Sequence, residues 1–319
     1  MITVLTGGTG GAKFVDGLRQ IVAPEELTII VNTGDDLLWW GLYISPDVDS
    51  IMYMLAGRLS QERGWGVKGD TFYCLQAMGQ MGQPTWFHAG DRDIATHILR
   101  SKLLSDGKTL SEVTAEIAGR LGIKTAILPM TNSRVETRVG TPIGEISFEE
   151  YFVQRWYQDP VESVRYAGAS DAEPAPGVID AIRSSETVIL APSNPVSSIA
   201  PILAVPGIRE ALRESRARIV AVSPIVGGAA VSGPAGILMQ SQGLPVSIAG
   251  IAEYYHDFLD VLVADVLDQP LADELEKSGT RVHCTRTIMR TAENRLALAQ
   301  DVLRLALQPS TTQAATEGA

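Results

Sequence analysis

MITVLTGGTGGAKF, residues 1–14, is the stretch that decides the fold. Its first residues are β-formers that run directly into a glycine cluster, and a helical pattern starts at Ala12. A strand that ends in a glycine turn and continues as a helix is typical of a parallel α/β sheet. The same turn predicts an anion site, because glycines let backbone amides approach a phosphate and a helix N-terminus favours negative charge.

The glycine spacing matches neither of the two well-known phosphate motifs. A dinucleotide fingerprint has a third glycine where Lys13 stands, and a Walker A loop has a different count and a hydroxyl residue where Phe14 stands. We nevertheless predict a phosphate cradle in which Lys13 adds a cation, with a ligand-free strand–helix turn as the alternative. The residues of the predicted cradle are Gly8, Thr9, Gly10 and Gly11.

Apolar runs alternate with helical patterns along most of the chain. The predicted strands are 2–7, 26–32, 124–130, 187–192, 218–224, 244–250 and 260–265. The predicted helices are 12–22, 47–60, 110–121, 207–215 and 291–306. Continuous apolar strands are typical of sheets covered on both faces, so we predict an α/β protein with a Rossmann-like, doubly wound, mostly parallel sheet.

The pattern predicts a single domain over residues 1–307. Within it, a largely helical insertion at about 37–123 is expected to cover the carboxyl edge of the strands. The last residues, 308–319, are polar and small, and we expect a disordered tail there.

Composition argues against several classes of function. The 319-residue chain has a formal net charge of −11 and no basic block, so we expect no nucleic-acid partner. No apolar run reaches the roughly 20 residues of a membrane helix, so we expect no membrane partner. Two distant cysteines and a start without a signal-like pattern predict a cytoplasmic protein without disulfides.

Acidic residues follow the second predicted strand in the segment NTGDD, residues 32–36. A carboxylate at this place holds a ribose in dinucleotide dehydrogenases, but here a glycine carries the acids further out. A magnesium ligand at Asp35, facing the phosphates of the first turn, is at least as compatible with the pattern. Capping of the next segment is the alternative.

The segment SPDVD, residues 45–49, predicts a helix start with Ser45 as a candidate cap and Pro46 in the first turn. Capping and the helix dipole explain Asp47 better than they explain Asp49. Asp49 is therefore a candidate metal ligand, or a candidate acceptor for the proton of a substrate hydroxyl.

The densest polar run is FHAGDRDIATH, residues 87–97. Arg92 has the planar fork that binds phosphate, and Asp91 is a candidate helix cap. Asp93 and His97 are four residues apart and so share a helix face. A capped amphipathic helix is the simpler interpretation, and metal binding by the two aspartates and the histidine is the weaker one.

Another buried run ends in PSNP, residues 192–195. Ser193 and Asn194 offer side chains that suit a purine edge or a ribose. The flanking prolines stiffen this loop, so both polar groups would be presented in a fixed position.

Taken together and in order, these segments resemble the 2-phospho-L-lactate transferase family. The matching segments are GGTGGAKFVDGL, VNTGDD, SPDVDSIMYMLAG, RGWG, GDRDIATHILRS, LAPSNPVSSIAPIL, VAVSPIVGGAAVSGPAG and AEYYHDFLD. The resemblance extends from Met1 to about Leu307, and the ordered set is far more specific than any one segment.

The resemblance implies a Rossmann-like homodimer that acts in the biosynthesis of coenzyme F(420) and requires magnesium, Mg2+. The donor would be a guanosine diphosphate carrying 2-phospholactate or phosphoenolpyruvate. The acceptor would be the deazaflavin Fo, whose terminal ribityl hydroxyl attacks the donor phosphorus while GMP leaves. The sequence does not distinguish the two donors, which differ by two hydrogens.

The resemblance also implies roles for single residues. Asp35 and Asp49 are expected at the magnesium ion, and Asp49 also matches a family position near the deazaflavin, so ligand and base are alternatives for it. His88 stands where relatives often have a basic residue that contacts the deazaflavin. The residues expected at the guanosine are Ser193 and Asn194. We expect the Asp49→Ala variant to lose transfer with its fold intact.

Two alternatives come from other classes of protein. A non-catalytic regulator that senses nucleotides or sugar nucleotides could use the same glycine loop, but it needs neither a metal nor a base, so the acid-rich segments count against it. An NAD-dependent oxidoreductase is disfavoured by the missing third glycine and by the glycine before the acidic pair.

Overall fold

The computed structural model describes residues 1–307, and the tail predicted at 308–319 lies outside the described residues. In chain order the strands are β1 (Ile2–Thr6), β2 (Leu27–Val31), β3 (Leu37–Trp39), β4 (Leu42–Ile44), β5 (Ala126–Pro129), β6 (Glu136–Thr141), β7 (Gly144–Ser147), β8 (Ser163–Ala167), β9 (Thr187–Leu190), β10 (Arg218–Val222), β11 (Ile225–Val226), β12 (Ala229–Ala230), β13 (Val261–Asp265) and β14 (Val282–Thr285). The helices are α1 (Gly8–Leu18), α2 (Pro46–Leu55), α3 (Tyr73–Gln80), α4 (Asp91–Ser105), α5 (Leu110–Arg120), α6 (Val178–Ser184), α7 (Ala200–Ala204), α8 (Ile208–Glu214), α9 (Ala235–Ser241), α10 (Ile248–Tyr255), α11 (Gln269–Lys277) and α12 (Ala292–Ala306).

A seven-stranded sheet forms the centre of the protein, in the order β5-β2-β1-β9-β10-β13-β14. Every neighbouring pair in it is parallel. Counted along the chain within this sheet, the order is 3-2-1-4-5-6-7, which is the Rossmann order with one strand added. The Rossmann-like prediction is therefore confirmed. The order reverses between β1 and β9, and ligands of such sheets bind in the crevice outside the carboxyl ends of the strands at that point.

Apolar side chains cover both faces of this sheet. Successive residues of β1 belong to opposite cores: Val4 packs in the core with α1, α2 and α12, and Leu5 packs in the core with α6, α8 and α10. Because both faces are buried, the central strands read as continuous apolar runs rather than as alternating ones.

The insertion between β2 and β5 consists of the hairpin β3–β4 followed by helices α2 to α5. Helix α2 packs on α1, and Asp47 in its first turn accepts from Gly8 N just after the carboxyl end of β1, so the insertion lies against that end of the sheet. The prediction of a largely helical insertion is confirmed, whereas its hairpin was not predicted. No helix in residues 1–307 is long and apolar enough to span a bilayer.

A second, antiparallel sheet has the order β7-β6-β8 and follows β5 in the chain. The sequence did not predict it, because its strands are short and mix charged with apolar residues. In β6, buried and half-buried residues alternate, as in a sheet with one packed face.

The strand predicted at 244–250 is wrong. Helix α10 begins at Ile248 with Ser247 as its N-cap residue, and the preceding residues form the turn that leads into it. A short apolar run fits a buried helix as well as a strand, so the pattern alone could not separate them. The edge strand β14 was missed, and α1 begins four residues earlier than predicted, so the glycines belong to the helix.

Candidate functional site

The glycine cluster forms the first turn of α1 rather than a loop in front of it. Gly7 is the N-cap residue and the helix begins at Gly8. A helix N-terminus leaves four amides without an intrahelical acceptor, and side chains accept from two of them here. Ser193 Oγ accepts from Gly7 N at 3.3 Å, and Asp47 Oδ1 accepts from Gly8 N at 2.6 Å.

The amides of Thr9 and Gly10 are the open part of the predicted phosphate cradle. Thr9 is exposed and Gly10 is half-buried, and neither amide has a side-chain acceptor among the described residues. Lys13 follows one turn later, half-buried, and within residues 1–307 no carboxylate pairs with its ammonium group. Two open amides at the positive end of a helix, with an unpaired cation nearby, suit an anion.

Glycine is required in this turn because three loops approach one another closely. A Cβ on Gly11 would overlap Thr6 Oγ1 and lie 2.7 Å from Ser193 Oγ. A Cβ on Gly7 would lie 2.5 Å from Asp47 Oδ2. The glycines therefore let the loop after β9 and the start of α2 contact the backbone of the turn.

The Gly11→Ala variant is expected to lose about 1–3 kcal/mol of the free energy of unfolding, because the added methyl must displace buried hydroxyl groups. Gly119→Ala is the matched control, since nothing lies within 4 Å of an ideal Cβ on this exposed glycine of α5. We expect the control to gain about 0.5 kcal/mol. Urea denaturation measures both variants, and effects of the same sign would contradict the close approach at Gly11.

Asn32, a residue without a predicted role, connects three segments at the strand ends. Its Nδ2 donates to Asp35 Oδ2 and to Asp47 Oδ2, both at 2.9 Å, and lies 3.2 Å from the carbonyl oxygen of Ser197. Its Oδ1 accepts from Gly34 N at 2.8 Å. Asn32 thus ties the loop after β2 to the start of α2 and to the loop after β9.

Four buried acids crowd together next to Asn32, and we refer to them as the acid cluster. Its members are Asp35, Asp36, Asp47 and Glu149, each less than 10% exposed. Burial is the main cause that raises the pKa of Asp36 and of Glu149 to about 8 and that of Asp47 to about 6. The pKa of Asp35 is also raised, first by burial and then by the charges of Asp47 and Glu149. Buried carboxylates that repel one another are the setting that a divalent cation neutralises.

Within the acid cluster, the members differ in how many of their oxygens are already used. Asp35 Oδ1 is buried without a hydrogen-bond donor among the described residues. Asp36, in contrast, accepts from the hydroxyl groups of Ser45 at 2.6 Å and of Tyr43 at 2.8 Å. Ser45 is the N-cap residue of α2, as predicted, but its side chain donates to Asp36 and makes no capping bond to the helix.

Asp49 belongs to a separate buried network between α2 and α4. Fully buried Arg100 binds both of its carboxylate oxygens, with Nη1 3.0 Å from Oδ2 and Nη2 on Oδ1. His97 Nδ1 lies 3.6 Å from Asp49 Oδ2, and its Nε2 lies 3.4 Å from Asp93 Oδ1. The Tyr53 hydroxyl donates to Asp93 Oδ1 at 2.7 Å. The predicted shared face of Asp93 and His97 is confirmed.

The ion pair with Arg100 weakens the prediction of a metal at Asp49. Ligand atoms of Asp49, Asp93 and His97 do lie within 4.8 Å of one another. The guanidinium beside them already neutralises Asp49 and repels a cation. The geometry therefore favours the acid cluster as the metal site, and the role of Asp49 as a ligand or base stays a prediction.

The side chains of Ser193 and Asn194 already have partners within the protein. Ser193 Oγ donates to the carbonyl oxygen of Gly7 at 2.6 Å. Asn194 Oδ1 accepts from Val196 N at 3.0 Å and Ser197 N at 3.3 Å, which caps the π-helical turn Pro195–Ile199. Both residues hold the loop after β9 at the crevice, and their contact with a guanosine stays a prediction.

His88 lies at the exposed rim, where its ring centroid is 6.4 Å from that of Trp65. Trp65 belongs to the RGWG segment, which reaches the glycine turn: a Cβ on Gly64 would lie 3.9 Å from Thr9 Cγ2. The rim that carries His88 is therefore linked to the phosphate cradle through this segment.

The prediction that Asp91 caps α4 is wrong. Asp91 instead binds the first amides of α3, and Asp70 binds the first amides of α4. Asp91, in the first turn of α4, accepts from Cys74 N at 2.9 Å at the start of α3. Asp70, before α3, accepts from Arg92 N at 2.9 Å at the start of α4. Exposed Arg92 donates from its guanidinium to the carbonyl oxygen of Lys68 at 3.2 Å, and its predicted contact with phosphate stays untested.

The strand order and the crevice at its reversal define the class: a Rossmann-like α/β protein whose cleft joins open helix amides to buried carboxylates. The sequence matches, over residues 2–314, the family described as 2-phospho-L-lactate transferase CofD. The chain belongs to the 2-phospho-L-lactate transferase family, and the resemblance drawn from the sequence is confirmed.

Relatives with two different names are similar to the chain over nearly its whole length. The 2-phospho-L-lactate transferase of Methanosarcina acetivorans is 42% identical, covering 95% of this chain and 98% of the relative. The phosphoenolpyruvate transferase of Streptomyces coelicolor is 40% identical, covering 96% of this chain and 98% of the relative. Because the two identities are nearly equal, overall similarity does not distinguish a phospholactyl donor from a phosphoenolpyruvyl donor.

Solved structures support the fold. A member of the upf0052 family from Bacillus halodurans superposes with a TM-score of 0.63 at 16% identity, covering 95% of this chain and 98% of the other. A second structure from the same organism superposes with a TM-score of 0.64 at 18% identity, again covering 95% of this chain and 98% of the other.

Proposed function

We propose that the protein transfers a 2-phospho-L-lactyl or phosphoenolpyruvyl group from its guanosine diphosphate derivative to the terminal ribityl hydroxyl of Fo. GMP is released, and coenzyme F(420)-0 or its dehydro form results. One observation carries the proposal: open helix amides lie next to a buried acid cluster at the reversal of strand order. A diphosphate donor needs amide donors and a divalent cation at the same place.

The acid cluster fits the magnesium ion that this reaction requires. Asp35 and Glu149 would hold it, because carboxylate oxygens are the ligands that Mg2+ prefers and Asp35 Oδ1 has no donor among the described residues. The oxygens of Asp36 and Asp47, in contrast, already accept hydrogen bonds. When bound, the ion neutralises negative charge on the phosphoryl oxygens.

The phosphate cradle would bind the diphosphate of the donor. The amides of Thr9 and Gly10 point from the positive end of α1, and Lys13 adds a cation, so negative charge that spreads over the phosphoryl oxygens is stabilised. The bond from Gly8 N to Asp47 Oδ1 holds the acid cluster and the cradle in a fixed relation, so both groups are positioned before the donor binds.

The acceptor hydroxyl must also lose its proton. Asp49 remains the predicted acceptor, but Arg100 already occupies both of its carboxylate oxygens. Asp36 is the second candidate, because burial raises its pKa to about 8, near the value that suits a general base at neutral pH.

The test is a side-by-side assay of the two donors with Fo, with and without Mg2+, read by mass spectrometry of the product. We expect product only with Mg2+, and a preference for one donor. Thermal stabilisation by guanine nucleotides without turnover of either donor would favour the sensing regulator. Stabilisation by NAD alone would favour an oxidoreductase.

We also propose a homodimer, on the basis of the family resemblance. Sedimentation velocity of the purified protein tests this, and a monomer at micromolar concentration would contradict it.

A further inference from the structure

Two segments without formal charge meet on one side of the insertion. Residues 37–46 and 71–90 contain no Asp, Glu, Lys or Arg, although 20% of the whole chain is charged. The first segment forms the β3–β4 hairpin, and the second forms α3 and the loop after it. Trp40 Nε1 donates to the carbonyl oxygen of Pro84 at 3.0 Å, so the two segments are in contact. We refer to residues 37–46 and 71–90 together as the uncharged surface.

Large apolar side chains of the uncharged surface are exposed. Leu38 is 58% exposed, Tyr73 is 72% exposed and Met81 is 67% exposed. No residue of α3 is buried, so this helix does not contribute to either core of the protein. Aromatic and methionine side chains in a region depleted of charge are typical of the centre of a protein–protein interface.

The backbone at Trp40 is unfavourable for a tryptophan. Trp40 and Gly41 are the two-residue turn of the β3–β4 hairpin, with φ of 52° and 81°. A turn with positive φ at both positions prefers asparagine followed by glycine, because a bulky residue is strained there. Local folding therefore does not account for tryptophan at this position, whereas a contact made by its indole ring does.

Charged residues occur at the border of the uncharged surface, where they form ion pairs. Arg138 Nη1 lies 2.7 Å from Glu136 Oε1, and Arg134 Nη2 lies 3.6 Å from Glu136 Oε2. These three residues line the same cavity as Trp40. An apolar centre with a polar rim is the usual arrangement of a protein–protein interface.

We propose that two copies of this chain associate through the uncharged surface. This inference rests on the homodimer of the proposed function, and it adds the surface that forms the dimer. Each copy has a formal net charge of −11, so two copies repel each other where their acidic surfaces meet. In a two-fold symmetric interface both copies present the same patch, and a patch without formal charge brings no like charges together.

Other partners and other exposed patches are less compatible with these charges. Trp156 and Tyr157 are also exposed, but charged residues flank them: Arg155 and Asp159 form an ion pair at 3.4 Å. A membrane partner is disfavoured because the uncharged surface has no lysine or arginine to bind anionic headgroups.

The Leu38→Glu and Met81→Glu variants test the proposal, one in each segment of the uncharged surface. The matched control is Ile143→Glu, because Ile143 is 67% exposed, like Met81, and lies in the turn between β6 and β7. All three variants add the same charge at an exposed position, and circular dichroism checks that they fold. Sedimentation velocity over a concentration series measures the dissociation constant of the dimer.

We expect Leu38→Glu and Met81→Glu each to weaken dimerisation by about tenfold or more, because the interface would bury carboxylates from both copies. Ile143→Glu should dimerise like the wild type. A measurement that needs no variant is hydrogen exchange of the wild type above and below the dissociation constant. Exchange should be slower in residues 71–90 of the dimer and unchanged in α12.

Unchanged dimer affinity in either of the two variants overturns the proposal, and so does an equal loss in Ile143→Glu. Exchange in residues 71–90 that does not depend on protein concentration overturns it as well. Binding of the wild type to phosphatidylserine vesicles, lost in Met81→Glu, would overturn it in favour of a lipid partner. A wild type that stays monomeric at every concentration refutes the homodimer itself, whereas a dimer that both variants leave intact refutes only this surface.

Discussion

The Asp49→Ala variant is expected to lose about 3–5 kcal/mol of the free energy of unfolding, together with its transfer activity. The physical reason is Arg100, which is fully buried and binds both oxygens of Asp49. Without the carboxylate, its guanidinium stays charged in a position that water does not reach. The expectation from the sequence, loss of activity with the fold intact, is therefore revised. Urea denaturation followed by circular dichroism measures the effect.

Two further variants separate the buried ion pair from a general effect of losing a charge. Asp49→Ala combined with Arg100→Met removes both charges, so we expect it to be less destabilised than the sum of the single variants. Asp106→Ala breaks the exposed pair with Lys102 and should change stability by less than about 0.5 kcal/mol. If Asp49→Ala alone stayed within about 1 kcal/mol of wild type, the earlier expectation would be restored.

The Asp35→Asn variant is expected to lower the transfer rate by about a hundredfold or more and to remove the thermal stabilisation by Mg2+. Asparagine has nearly the same shape, but its amide is a poor ligand compared with a carboxylate. Stability in the absence of metal should be equal or higher, because one of several repelling buried charges is gone. Turnover and thermal unfolding, each with and without Mg2+, measure the three effects.

The matched control for this variant is Asp268→Asn, which changes a buried acid that does not belong to the acid cluster. Asp268 accepts from Gly227 N at 3.0 Å and is 6% exposed. We expect its turnover and its response to Mg2+ to match the wild type. A normal Mg2+ response in Asp35→Asn would instead place the metal elsewhere, for example at the group around Asp49.

Most strands of the parallel sheet were predictable from the sequence because burial on both faces imposes continuous apolar runs. β2, β9 and β10 follow this rule, and the prediction was confirmed for each. The run at 244–250 has the same composition but forms the entry to a helix, since composition does not record which neighbours surround a buried segment. The second sheet was missed because charged residues interrupt its short strands.

The candidate site was less predictable than the fold. An acid in the first turn of a helix is accounted for by the helix dipole, so the sequence provided no reason to expect a further role for Asp47. In the structure, Asp47 accepts a hydrogen bond from Gly8 N. Asn32 follows a buried strand like many turn residues, and Glu149 stands beside Glu150 in a segment without a recognisable motif. Their roles depend on contacts between segments that are far apart in the chain.

The sequence by itself determined the parallel sheet, the glycine turn at its first strand and the family. These features depend on local composition and on order along the chain, which a sequence carries directly. Only the tertiary structure decided the partner of each acid: Asp49 faces Arg100, 51 residues away, whereas Asp35 faces Asp47 and Glu149. The physical reason is that the electrostatic interactions of a carboxylate depend on how deeply it is buried and on the nearest opposite charge. Both are set by the packing of α2 against α1 and α4, and no local pattern records them.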